Sequence, residues 1–119
     1  MTCNKILLVE DDTDIRTTLK EVLELEGYDV VPAGNGKEAF DALQTMEEHP
    51  CLILLDLMMP IMNGWEFLEA QQATAMIASI PVVVVSAAGD KARSAKAHGF
   101  IKKPIEVEGL LKMIKQYCA

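Results

Sequence analysis

A chain of 119 residues, half of them apolar and 24% charged, is long enough to bury a core and is not compositionally disordered. Eighteen acidic against 11 basic residues leave a net charge of −7, which argues against sequence-independent binding to nucleic acid or to an anionic membrane surface and leaves only the adjacent Lys102 and Lys103 as a local basic patch. No apolar run is long enough to cross a bilayer and the N-terminus meets Glu10 too early for a secretory signal, so one domain over residues 1–119 in the cytoplasm is expected.

Lys5–Val9 reads as a first short strand, followed at once by Glu10, Asp11 and Asp12. Thr13 opens a helical pattern in which Ile15, Leu19, Val22 and Leu23 share one face, with Gly27 as its stop. Tyr28–Val31 is a second strand. Asn35 and Glu38 have capping-box spacing ahead of Ala39, Phe40, Leu43 and Met46 on one helical face. Cys51–Leu55 is a continuous apolar run, the mark of a strand buried on both faces of a parallel sheet. Asn63 and Glu66 repeat the capping spacing, and a helix is expected from there to about Ala75. Pro81 introduces Val82–Val85, four β-branched residues that predict a fourth strand. After the break at Ser86-Ala87-Ala88-Gly89, a short helix is expected over Asp90–His98, then a fifth strand over Gly99–Lys102. Val107, Leu110, Leu111, Ile114 and Tyr117 give a last helix its apolar stripe. Five βα units in succession predict an α/β fold with a parallel sheet covered by helices on both faces.

Parallel strands put their C-terminal ends on one edge, and that edge collects chemistry. Glu10 and Asp11 follow strand one, Asp56 strand three, Ser86 strand four and Lys103 strand five. Each alone has a plain structural reading: a strand-end Asp is often an N-cap, and Ser is common at turns. Together, three carboxylates would repel one another unless a cation sits among them. Mg²⁺ suits such oxygen ligands. Asp11 and Asp56 could ligate directly, a backbone carbonyl from the loop after Asp56 could add a third oxygen, and Glu10 could act through water. Ser86 could then donate to a phosphoryl group and Lys103 could offset its charge, while Asp56 is the carboxylate placed to form an acyl phosphate. Asp12 is left to capping or solvent, and strand alternation sends Lys102 to the other face.

The residues with no place in this site have quieter readings. Met58, Met59 and Met62 read as packing and loop shape. His49 and His98 read as solvated or capping. Cys3, Cys51 and Cys118 match neither a disulfide framework nor a zinc spacing, which predicts reduced thiols.

The runs Ile6-Leu7-Leu8-Val9-Glu10-Asp11-Asp12, Leu55-Asp56-Leu57-Met58-Met59-Pro60-Ile61-Met62-Asn63-Gly64, Val83-Val84-Val85-Ser86-Ala87 and Lys103-Pro104 together resemble the receiver domain of bacterial two-component response regulators. That resemblance implies a flavodoxin-like (βα)5 three-layer sandwich with strand order 2-1-3-4-5. It implies Asp56 as phosphoacceptor, Glu10 and Asp11 as the acidic metal-binding pair, and Met58 as the source of the backbone carbonyl to Mg²⁺. It further implies Ser86 as the switch hydroxyl, Lys103 as the phosphate-contacting lysine before a frequently cis bond to Pro104, and Phe100 as the aromatic switch position. The phosphoryl donor would be a phosphohistidine on a sensor histidine kinase or a histidine phosphotransfer protein, and the domain would catalyse at most its own phosphorylation and dephosphorylation. With no DNA-binding segment after Lys115, output would pass through protein contacts, or the chain would be a receiver taken from a longer protein.

Two features depart from or refine that pattern. Only 17 positions separate Ser86 from Lys103, fewer than the family usually has, which predicts a shortened fourth helix and an altered output face. Met58 and Ala88 cannot hydrogen-bond an attacking water effectively, which predicts slow self-dephosphorylation. The competing functional classes are a Mg²⁺-dependent phosphohydrolase with an aspartyl-phosphate intermediate and a phosphorylation-independent binding module on the same fold. The first normally needs a second acid where Met58 stands, and the second leaves an intact set of site residues unexplained. A nucleotide-binding domain is weaker still, because no Gly-rich loop follows strand one.

Overall fold

The computed structural model describes residues 3–87 and 96–118. Its strands are β1 (Lys5–Val9), β2 (Asp29–Ala33), β3 (Leu52–Leu55), β4 (Val82–Ser86) and β5 (Gly99–Lys102), and all pair in parallel in the order β2-β1-β3-β4-β5. Four helices lie among the described residues: α1 (Thr13–Leu25), α2 (Gly36–Thr45), α3 (Gly64–Gln72) and α4 (Val107–Lys115). The short helix expected over Asp90–His98 lies outside the described residues except for its last three positions, which are irregular.

The central strands bury residues of both parities, so alternate side chains feed two separate cores. Leu7, Val9, Ile53, Leu55 and Val84 pack with Ala39 and Leu43 of α2 and Phe67 and Leu68 of α3. Ile6, Leu8, Leu52, Leu54 and Val85 pack with Leu19 and Leu23 of α1 and Leu110 and Ile114 of α4. The result is three layers, with the sheet as the shared wall.

The helix starts follow the local chemistry. Asp12 caps α1, its side chain accepting the Ile15 N–H at 3.0 Å. Asn35 caps α2 by accepting from the Glu38 N–H at 2.9 Å. Asn63 and Glu66 form the full reciprocal box at α3, at 2.9 and 3.0 Å, so two otherwise orphaned N–H groups are satisfied at once. Gly27 turns the chain out of α1 at φ +93°.

The strands shift by a residue at several ends, β2 starting at Asp29, β3 at Leu52 and β4 closing at Ser86, and two larger differences have a visible cause. β2 runs on through Pro32 to Ala33 instead of stopping at Val31, because an edge strand pairs on one side only and tolerates a missing N–H on the other. α3 ends at Gln72, short of Ala75. The buried Gln71 amide donates to the carbonyls of Ile77 at 2.9 Å and Ile80 at 3.0 Å, holding the segment after α3 in tight turns. A helix continued past Gln72 would carry those carbonyls away from Gln71.

Candidate functional site

The strand order reverses at β1, which has β2 on one side and β3 on the other. Chains leaving β1 and β3 therefore part to opposite faces and open a crevice at their C-terminal ends. The register pairs Val9 with Leu55 and Val9 with Ala33. The ladders run one step further, with the Asp56 N–H donating to the Val9 carbonyl and the Glu10 N–H to the Ala33 carbonyl, each at 3.0 Å. Glu10 and Asp56 thus stand level at the crevice. On the other side of β3, β4 ends at Ser86, whose carbonyl accepts the Lys103 N–H at 3.0 Å.

Side chains from these four strand ends converge. Glu10, Asp11 and Asp56 each offer a carboxylate oxygen, and those oxygens lie within 4.8 Å of one another. Lys103 Nζ sits 2.7 Å from Glu10 Oε1 and 3.5 Å from Asp56 Oδ2. Glu10 and Asp56 are only 3% and 5% exposed, Ser86 is buried, and Asp11 faces solvent. Arg16 of α1 steadies the acidic turn, donating to the Glu10 carbonyl at 2.7 Å and the Asp11 carbonyl at 3.4 Å.

The electrostatics follow from that packing. Burial and then the neighbouring Glu10 carboxylate push Asp56 up to about 7, against the opposing pull of Lys103. Burial pulls Lys103 down, but its bond to Glu10 and the charge of Asp56 outweigh this and hold the ammonium above its ordinary value. A carboxyl driven toward neutrality beside two more acids is a donor set that a hard divalent cation would relieve, so Glu10, Asp11 and Asp56 could hold one.

The loop after Asp56 is built tightly against its surroundings. The Met58 N–H points to Asp56 Oδ1 at 3.4 Å, while the Met58 side chain is 63% exposed in a shallow cleft shared with Asp11 and Trp65. A Cβ on Gly64 would lie 2.6 Å from the Asp56 carbonyl oxygen and 2.7 Å from Leu57 Cα, so only glycine lets α3 start this close to the site. Ile61 adopts φ +67°, an unfavourable conformation for a β-branched residue, in the turn where the Met62 N–H reaches the Pro60 carbonyl at 2.7 Å.

The structure therefore brings Glu10, Asp11, Asp56, Ser86 and Lys103 to one edge and leaves Lys102 exposed and turned away. The Lys103-Pro104 bond is cis. Phe100 is 39% exposed on the edge strand β5. His98 lies away from the site, as expected, but it has a partner: its Nδ1 accepts the Val82 N–H at 3.2 Å at the start of β4. Arg16 went unnoticed in the sequence, where its spacing of one helical turn from Asp12 was the available signal. Cys51 and Cys118 meet at the opposite end of the sheet, with Cys3 nearby.

The fold and this strand-end constellation define a receiver domain. The chain belongs to the response regulator receiver domain family, which it matches over residues 6–115. Among its relatives, the transcriptional regulatory protein CpxR of Escherichia coli is 42% identical over 88 residues, covering 74% of this chain and 35% of that protein. The transcriptional regulatory protein CrdR of Helicobacter pylori is 36% identical over 118 residues, covering 95% of this chain and 54% of its own length. The chain thus spans about a third to a half of these curated relatives. Among solved structures, the signal receiver domain of a signal transduction histidine kinase from Syntrophus aciditrophicus superposes with a TM-score of 0.85 at 32% identity, covering 96% of this chain and 89% of that one. The response regulator TrrA of Thermotoga maritima, solved in complex with Mg²⁺ and BeF, gives a TM-score of 0.83 at 27% identity, covering 96% and 98%.

Proposed function

We propose that the chain is a phosphoacceptor switch in which Asp56 takes a phosphoryl group from a phosphohistidine. The observation that carries this reading is the set of three carboxylate oxygens within 4.8 Å of one another, with the Lys103 ammonium bonded into it. An oxygen of the Asp56 carboxylate attacks phosphorus, an O–P bond forms as the N–P bond to histidine breaks, and the imidazole nitrogen leaves. Lys103 is placed to exchange part of its contact with Asp56 for one with the incoming phosphoryl oxygens, and Ser86 to donate its hydroxyl to them.

The three carboxylates suit Mg²⁺, which Asp11, Asp56 and the Met58 carbonyl would hold directly and Glu10 would hold through water. When bound, it supplies positive charge that offsets the negative charge of the phosphoryl oxygens. The donor is a sensor histidine kinase or a histidine phosphotransfer protein, met in the cytoplasm, and residues 1–119 act as one receiver domain. Phosphorylation shifts the domain toward its active form through Ser86 and Phe100, and the signal leaves through protein contacts without direct contact to nucleic acid. The domain turns over no substrate besides its own phosphoryl group.

The test is intact mass after incubation with Mg²⁺ and a small phosphodonor. The expected result is one phosphoryl adduct per chain, absent in Asp56→Asn. Continuous release of phosphate without an adduct would favour a phosphohydrolase, and an unmodified chain would leave only a binding module.

A further inference from the structure

Cys3, Cys51 and Cys118 are far apart in sequence yet gather at the edge of the sheet opposite Asp56. β1 and β3 are neighbours in register, with Ile6 beside Leu52, so Cys51 stands beside Lys5 and Cys3 lies two residues before that level. The Cys3 thiol lies close enough to Cys51 to help push the Cys51 thiol up. From the far end of the chain, Cys118 Sγ reaches to 2.6 Å from Cys51 Sγ. That is inside the separation of two non-bonded sulfurs, so the pair can join with little backbone movement. Both backbones are anchored at this place: the Cys51 N–H donates to the Lys5 carbonyl, and the Cys118 N–H to the Ile114 carbonyl, each at 2.9 Å.

We propose that Cys51 and Cys118 form a disulfide when the protein meets hydrogen peroxide, with Cys3 as the thiol that reacts first. Cys3 is exposed, Cys51 is half-buried and Cys118 is buried. Burial also pushes the Cys51 and Cys118 thiols up, which keeps them protonated and poorly reactive toward a small oxidant. The order of steps follows. The Cys3 sulfur takes one peroxide oxygen to become a sulfenic acid, and the other oxygen leaves as water. The Cys51 sulfur attacks the Cys3 sulfur; the S–S bond forms, the S–O bond breaks, and the hydroxyl leaves as water with the Cys51 proton. The Cys118 sulfur then attacks Cys51, and its proton goes to the departing Cys3 thiol. In total, two thiols lose two electrons and two protons, and one peroxide is reduced to two waters. Both exchanges are intramolecular, and the second joins sulfurs already in contact, which offsets the low thiolate fraction.

The bond joins residues 67 positions apart and ties the chain after α4 to the base of β3. Asp56 stands at the other end of β3, so its chemistry is untouched, and the proposal stands apart from the phosphoacceptor reading.

The 119-residue chain is incubated with hydrogen peroxide or with reductant, then alkylated under denaturant and mapped by peptide mass. The expected product has lost two hydrogens, carries one Cys51–Cys118 link and keeps an alkylatable Cys3. Its Tm lies about 10 °C above that of the reduced form and returns with reductant. Cys3→Ser slows the link by about tenfold or more, and Cys118→Ala stops at a Cys3–Cys51 link. The proposal is overturned if the treated wild-type chain keeps three alkylatable cysteines, links Cys3 as its end product, or carries Cys3 over-oxidised with no link. Oxidation of Cys3→Ser at the wild-type rate overturns the assigned order. The wild-type map decides the bond itself even where a variant fails to fold.

Discussion

Lys103 Nζ lies 2.7 Å from Glu10 Oε1, closer than its 3.5 Å to Asp56 Oδ2. The lysine is thus bonded to Glu10 and only leans toward the proposed acceptor. Removing it leaves two buried carboxylates facing each other. Lys103→Met is expected to destabilise the metal-free protein by about 2–4 kcal/mol above neutral pH, and by less in acid where the carboxyls protonate. Urea unfolding at both ends of that range checks this. An equal loss at both would show that packing, not charge, is what Lys103 provides.

Asp56 shifts from 3.8 to about 7 on folding. A raised acid contributes stability that is present below its unfolded value and is lost as pH climbs through its folded value. With a chelator present, the Tm of the wild-type chain should therefore fall between about pH 4 and pH 7 relative to Asp56→Asn, and the variant should be the more stable of the two above 7. Because protons compete for the same oxygens, Mg²⁺ should raise the wild-type Tm more above pH 7 than below pH 4, and should raise that of Asp56→Asn little.

Met58 presents an exposed thioether two positions past Asp56, the proposed acceptor, in the cleft that also holds Asp11. It offers no hydrogen bond that would orient an attacking water. Met58→Asn should shorten the lifetime of the acyl phosphate several-fold while leaving its formation intact. An unchanged decay rate in Mg²⁺ buffer would remove Met58 from any part in signal duration.

Ile61 holds φ +67° with a side chain that is 77% exposed, so it carries backbone strain and gains little burial in return. Asn adopts that conformation more readily. Ile61→Asn should raise the stability of the fold by about 1 kcal/mol, read as a higher urea midpoint at unchanged slope.

Gly64 has backbone atoms where a Cβ would go. Gly64→Ala is expected to cost about 2 kcal/mol and to weaken the Mg²⁺-induced rise in Tm, because the loop between Asp56 and α3 must shift to admit the methyl group. Loss of stability with an undiminished Mg²⁺ response would show that the loop adapts independently of the site.

Much of this molecule is decided locally and is legible in the chain. Val82–Val85 and the run ending at Leu55 are too apolar for any place but the middle of a sheet, and Asn63 with Glu66 fixes where α3 begins. Once the strands are parallel, Glu10, Asp56, Ser86 and Lys103 must share an edge, because each directly follows its strand or ends it. What the tertiary structure alone decided depends on atoms from distant segments meeting at particular distances. The preference of Lys103 for Glu10 spans 93 positions, the meeting of Cys51 with Cys118 spans 67, and the rise of the Asp56 pKa needs burial and Glu10 together. The early end of α3 belongs here too, since the Gln71 amide selects turns that its partner carbonyls must adopt. Patterning sets which way a side chain faces. Packing sets what it touches, and here that decides the charge of Asp56 and the company of the thiols.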